Sequence, residues 1–97
     1  MPGNMTTALS RIARTGEITM TGAELEEWRL AQPGQHKYKR NQVRDGWTQD
    51  QAAAWYGCSK RQWQRWESGE AAVPLPAVKA ILRYSTSMQS VLDRLMA

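Results

Sequence analysis

The feature that most limits how this chain can fold is a pair of helix starts only eleven residues apart, at Thr48 and Ser59. Thr48-Gln49-Asp50-Gln51 and Ser59-Lys60-Arg61-Gln62 each place a hydroxyl residue three positions before a glutamine. This is the pattern of a capping box, in which the hydroxyl accepts from a backbone amide and the amide side chain reaches back. Ala52, Ala53 and Ala54 favour the first helix, which continues through Trp55 and Tyr56 and stops at Gly57. Between the two helices there is room only for Gly57 and Cys58, with Ser59 as the cap. The second helix runs to about Glu67 and ends at Ser68-Gly69, where glycine suits left-handed geometry.

Around this unit the chain divides into recognisable pieces. Residues 1–20 are expected as an N-terminal arm, with Met5, Leu9, Ile12 and Ala13 at helical spacing and Thr15-Gly16 as the stop. Glu17 to Met20 is extended or irregular. Thr21-Gly22-Ala23-Glu24 is a further capping box, opening a helix to about Ala31 with Leu25 and Trp28 on one face. Gln32-Pro33-Gly34 ends it. Residues 32–46 then form a basic insertion, either a loop or a short helix over Tyr38 to Arg44. Pro74 and Pro76 mark another loop, and Pro76 suits the first turn of a helix. Residues 76–97 keep helical spacing through Val78, Ile81, Leu82, Met88, Val91, Leu92 and Leu95, as one long helix or as two separated at Ser85-Thr86-Ser87. The expected class is all-α, a compact bundle of four to five short helices over residues 21–97 with an arm in front.

Composition narrows the functions. Ninety-seven residues suffice for one small domain and its modest core. One cysteine, Cys58, and one histidine, His36, cannot make a disulfide or a zinc set within the chain. Cys58 is expected as a small core residue and His36 as a loop residue. There is no Gly-rich phosphate loop and no HExxH pattern. Glu26-Glu27 and the pair Asp45 and Asp50 are expected as a solvated helix face and as helix-start charges. No catalytic residue, metal or cofactor is expected. No run approaches the roughly 20 apolar residues of a membrane span, and the first residues lack the apolar stretch of a secretory signal. A cytoplasmic location is expected.

Charge points the other way, toward a partner. Between Gln35 and Trp66 stand Lys37, Lys39, Arg40, Arg44, Lys60, Arg61 and Arg65, opposed only by Asp45 and Asp50. The rest of the chain is close to neutral. A basic stripe confined to one segment is the electrostatic footprint of a polyanion. Two short helices joined by a tight glycine turn form a helix-turn-helix, which places its second helix in the DNA major groove. Ala52 or Ala53 allows close crossing, Gly57 permits positive φ, and Cys58 plugs the core. On the second helix Trp63 and Trp66 share the inward side, leaving Lys60, Arg61, Gln64 and Arg65 largely outward. Arg and Lys pair with guanine edges and Gln with adenine. Lys60, Arg61 and Gln64 are the expected base contacts, and Arg65 meets base or phosphate. Gln49, at the start of the preceding helix, suits a phosphate.

The segment GWTQDQAAAWYGCSKRQWQRWESGEAAVPLPAVKAIL resembles the Cro and lambda-repressor-like (XRE-type) helix-turn-helix family of phage, plasmid and bacterial regulators. The likeness rests on Thr48-Gln49, the alanines 52–54, Gly57-Cys58-Ser59, Trp63, Trp66-Glu67-Ser68-Gly69 and the prolines before Val78. Leu25-Glu26-Glu27-Trp28-Arg29 is similar to the family's first helix. The resemblance implies DNA contact by Gln49, base reading by Lys60, Arg61 and Gln64, and phosphate contact by Ser68. Ser59 belongs with the phosphate contacts. It also implies a homodimer on double-stranded DNA, reading a palindromic operator as a repressor, with the C-terminal helix as the dimer surface. The 14 residues from Gln32 to Asp45 exceed the family's usual spacing. Either they are a basic insertion, or Tyr38 to Arg44 is the family's first helix and Thr21 to Ala31 is extra. As an insertion, Lys37, Lys39, Arg40 and Arg44 follow a phosphate backbone or enter a minor groove, or belong to a solvated loop. The competing function is a protein-interaction module on the same fold, an antitoxin-like partner or adaptor.

Overall fold

Each short helix begins where a side chain takes up orphan backbone amides. A computed structural model describes residues 6–37 and 42–96, the last ten as backbone only. Helix α2, Gly22–Leu30, opens with the full Thr21–Glu24 capping box, and α3, Gln49–Tyr56, opens with the full Thr48–Gln51 box. In α4, Lys60–Ser68, only the serine half is made, with Ser59 Oγ accepting from the Gln62 amide at 3.1 Å. Helix α1, Thr7–Thr15, is capped from a distance: the Thr7 amide donates to Glu27 Oε1 at 2.8 Å, while the buried Thr6 hydroxyl makes no hydrogen bond.

The residues expected as an arm therefore carry a docked helix. Ala8, Leu9 and Ile12 of α1 lie in the common core, because an apolar stripe at that spacing gains by burial. Met5 lies outside the described residues. Arg11 fastens α1 to the start of α2. It bonds Glu24 through two nitrogens, at 2.9 and 3.2 Å, and donates to the Thr19 carbonyl at 2.8 Å. Burial alone would push the Glu24 carboxyl up, but the Arg11 and Thr21 bonds and the Arg11 charge outweigh it and hold it below the usual value.

Among the described residues of 32–46, Gln35–Lys37 and Val43–Asp45 are strands rather than the loop or the end of the short helix expected from sequence. They form an antiparallel ribbon of β1, Gln35–Lys37, and β2, Val43–Asp45, in the register Gln35↔Asp45, His36↔Arg44 and Lys37↔Val43. Tyr38, Lys39 and Arg40 lie outside the described residues. The ribbon is closed at its base, where the Gly46 amide donates to the Gly34 carbonyl at 2.8 Å. The Trp47 amide then bonds the Arg29 carbonyl at the end of α2, returning the chain to the bundle.

The C-terminal segment is one continuous helix, α5, Leu75–Met96. Ser85 does not break it; its hydroxyl accepts from the Trp28 indole at 3.0 Å. Five helices thus enclose a core centred on Leu25, Trp28, Trp63, Val78 and Ile81, and the ribbon is a small addition to an otherwise helical fold. Trp47, Trp55 and Tyr84 stand around Trp28 with ring centroids 5.2 to 6.1 Å away. These aromatics supply the bulk that phenylalanine gives other small domains.

Gly22 marks a very close approach between α2 and α4. A Cβ there would collide with the carbonyl oxygens of Trp66 and Glu67 at the end of α4. Alanine normally favours a helix over glycine by about 1 kcal/mol. Here Gly22→Ala is expected to lower stability instead, by about 1–3 kcal/mol. Urea unfolding followed by circular dichroism measures the sign, and a gain in stability would contradict the close packing.

Candidate nucleic-acid interface

The α3–α4 unit is held from below by small and large residues in opposition. Ala52 and Ala53 are 0% and 2% exposed, and they share one core with the indoles of Trp63 and Trp66, 0% and 6% exposed. Small side chains on α3 let the helices cross closely, and the indoles fill the space beneath. Gly57, at φ 99°, turns the chain sharply, and both its amide and that of Cys58 bond the Ala53 carbonyl. Cys58 is half-buried against the core. Burial pushes its thiol up, so it stays a neutral plug.

Beneath this unit lies a polar hub that sequence reasoning missed. Glu67, the last acidic residue of α4, accepts from Arg29 Nε at 2.7 Å and Nη2 at 3.1 Å, from the Trp63 indole, and from Gln49 Nε2 at 3.2 Å. Arg29 also donates to the Trp47 carbonyl at 2.7 Å. The Arg29 and Glu67 side chains are 6% and 4% exposed. Both residues stood in segments quoted for the family resemblance, yet nothing local to either one indicates the other, 38 positions away.

From the hub the network reaches the surface. Gln49 donates to Glu67 and accepts from Gln64 Nε2 at 3.1 Å, so the start of α3 and the outer face of α4 are joined. The residues expected to read bases, Lys60, Arg61, Gln64 and Arg65, are all exposed along α4. Lys60 faces Asp50 at 3.5 Å and Arg65 faces Glu70 at 3.6 Å, each of the four side chains exposed. Pairs of this kind contribute about 0–1 kcal/mol and rearrange easily for a stronger anion. Arg61 makes no ion pair among the described residues. Arg61, Gln64, Arg65 and Ser68 line one shallow groove with Glu70.

The expected phosphate contacts are more scattered. Ser59 is exposed and serves as the cap of α4. Ser68 is exposed, donates to the Arg65 carbonyl at 3.1 Å and accepts from the Glu70 amide at 3.3 Å. Lys37 lies on the exposed side of the ribbon and Arg44 on its half-buried side. Lys39 and Arg40 fall outside the described residues. Arg44 and His36 share a cleft with Thr48 and Gln49 at the start of α3 and Lys60 at the start of α4. His36, expected as a loop residue, is thus brought beside the exposed ridge. Nothing in the sequence around it marks that position.

A capped helix pair, a tight glycine turn and an outward row of cations and amides define a helix-turn-helix protein. The helix-turn-helix domain family model matches residues 21–95, and the chain belongs to that family. Comparison with curated proteins and with solved structures returns no match. The family and the basic ridge together make this a DNA-binding domain of the kind found in regulators. Among the described residues no helix is long and apolar enough to cross a membrane, and no group of His, Cys, Asp and Glu could hold a metal.

Removing one partner of the hub leaves buried charge uncompensated. Glu67→Ala is expected to cost about 3–5 kcal/mol. Gln49→Ala, which removes one neutral donor, should cost about 1 kcal/mol. Chemical denaturation followed by tryptophan fluorescence compares the two, and equal losses would deny Glu67 its central place.

Proposed function

We propose that the protein is a sequence-specific transcriptional regulator of phage, plasmid or bacterial origin, a repressor that reads a palindromic operator as a homodimer. α4 lies in the major groove. Lys60, Arg61 and Gln64 address base edges, and Arg65 meets base or phosphate. Gln49, Ser59 and Ser68 hold phosphates beside it. The ribbon cations Lys37, Lys39, Arg40 and Arg44 follow the backbone beyond the reach of α4. Such a regulator works in the cytoplasm, on nucleoid DNA. The resemblance to Cro and lambda-repressor-like proteins favours repression.

One observation carries this reading: Lys60, Arg61, Gln64 and Arg65 of α4 form an exposed row while Trp63 and Trp66 of the same helix are buried. A helix anchored from beneath can enter a groove without losing its place in the bundle. Arg61→Ala is expected to weaken operator binding by about 1–3 kcal/mol and relax preference at one base position. Lys37→Ala should weaken all duplexes alike and reduce the salt dependence. Selection from a random pool, followed by titration of operator and random duplexes, measures both. Equal loss on the two duplexes for Arg61→Ala would remove its base-reading role. No shift on any duplex at low salt would leave the protein-interaction reading in its place.

The dimer belongs to the second half of α5. One domain offers few base contacts, and two half-sites a helical turn apart supply the missing discrimination. At 22 residues α5 is about 33 Å long, and its first turns anchor in the core through Ala77, Val78 and Ile81. Met88, Val91, Leu92, Leu95 and Met96 continue the apolar spacing in sequence beyond that anchor. Leu92→Glu is expected to shift the protein from dimer to monomer in sedimentation equilibrium. A monomeric wild type, both free and on DNA, would refute the dimer.

A further inference from the structure

The ribbon has two unlike sides. Along each strand the outer residues Gln35, Lys37, Val43 and Asp45 are exposed, while His36 and Arg44 are half-buried. His36 and Arg44 are also direct partners in the register, so they stand side by side on the face turned toward the bundle. That face borders a cleft of about 420 Å³, which it shares with Thr48 and Gln49 at the start of α3 and with Lys60, the first residue of the exposed ridge.

We propose that this cleft seats a DNA phosphate, and that His36 grips it only in the protonated form, so that duplex binding tightens as pH falls. The proposal rests on the DNA reading above and adds a contact residue that the charge pattern does not reveal.

The chemistry follows from one hydrogen bond. His36 Nδ1 lies 2.9 Å from the Gly46 carbonyl oxygen. A carbonyl only accepts, so Nδ1 carries the hydrogen and donates it. In the neutral ring Nε2 is then left with a lone pair. Facing a phosphate oxygen, it would set acceptor against acceptor. The protonated ring keeps the Gly46 bond and turns Nε2 into a charged donor. A single proton therefore reverses the sign of the contact, and histidine is the side chain that exchanges a proton near neutral pH.

The charges around His36 suit an anion. Across the ribbon on β2 is Arg44; from α2 come Arg29 and Glu26, from α3 Asp50, and from α4 Lys60. The two carboxylates already face cations, Glu26 at 3.9 Å from Arg29 and Asp50 at 3.5 Å from Lys60. Three cations line the cleft, but Arg29 is already held by Glu67 in the hub, and a proton on His36 adds positive charge beside Lys60 and Arg44. A protonated His36 directly opposite Arg44 sets like charges side by side, a repulsion that an anion between them offsets. A backbone phosphate supplies that anion.

His36 is the chain's single histidine, which makes the test clean. The full chain is titrated at low salt into a labelled mixed-sequence duplex about two helical turns long. Anisotropy is read at about pH 6 and about pH 8. Wild type is expected to bind on the order of fivefold tighter at the lower pH, the size of one partly exposed cation–phosphate contact. His36→Gln should bind with no pH dependence, at the weaker wild-type level. His36→Lys, permanently charged, should also show no pH dependence, but at the tighter level. If His36 only braces the ribbon, both variants will be weak at both pH values, and the proposal fails. It fails equally if wild type binds without pH dependence, or if His36→Gln retains the wild-type dependence. A wild type that binds no duplex at either pH would overturn the DNA reading itself, and this inference with it.

Discussion

The ion pair between Arg29 and Glu67 is the constraint on which the placement of α4 depends. Removing two charges from water costs several kcal/mol per ion, and attraction between them offsets this only with good geometry and further hydrogen bonds. Both conditions hold. Arg29 presents two nitrogens to the carboxylate, and the Trp63 indole and Gln49 amide add donors of their own. The third guanidinium nitrogen is occupied by the Trp47 carbonyl. One carboxylate thereby joins α2, α3 and α4, while the arginine adds the residue that leads into α3. Apolar contacts alone would tolerate small slips between these helices; charged, directional bonds do not.

Packing then does what directional bonds cannot, which is to fill volume. The core is built from extremes of size: alanines 8, 52, 53 and 77 on one hand, indoles 28, 63 and 66 on the other. Trp28 is the centre, with three aromatic neighbours and a hydrogen bond to Ser85 that satisfies its one polar atom. The exposed face of α4 is backed by buried indoles. The backbone that carries its cations and amides is anchored from beneath by Trp63 and Trp66, and a pre-organised helix loses less on binding than a mobile one.

Much of this was legible in the sequence because it is local. The caps at Thr21, Thr48 and Ser59, the stop at Gly57 and the inward spacing of Trp63 and Trp66 depend on neighbours within one or two turns, and all are found where expected. What escaped is non-local. The ribbon strands carry a single large apolar residue, Val43, and it is 62% exposed, so no alternation betrays them. Their pairing follows from closure between Gly34 and Gly46. The docking of α1 follows from Arg11 and Glu27, which find partners 13 and 20 positions away. The continuity of α5 across Ser85 follows from the Trp28 indole, 57 positions earlier. The basic face was legible as charge, but the cleft beside it was not, since it needs the ribbon to exist.

The way the ribbon is closed has an evolutionary consequence. Its two ends meet at the Gly46–Gly34 hydrogen bond, so the chain leaves the frame and returns to it at nearly one point. Extra length distal to that point need not displace the closing bond, and its entropic penalty grows only logarithmically. A scaffold with such a detachable appendage can alter how much duplex it covers while its core stays under unchanged selection.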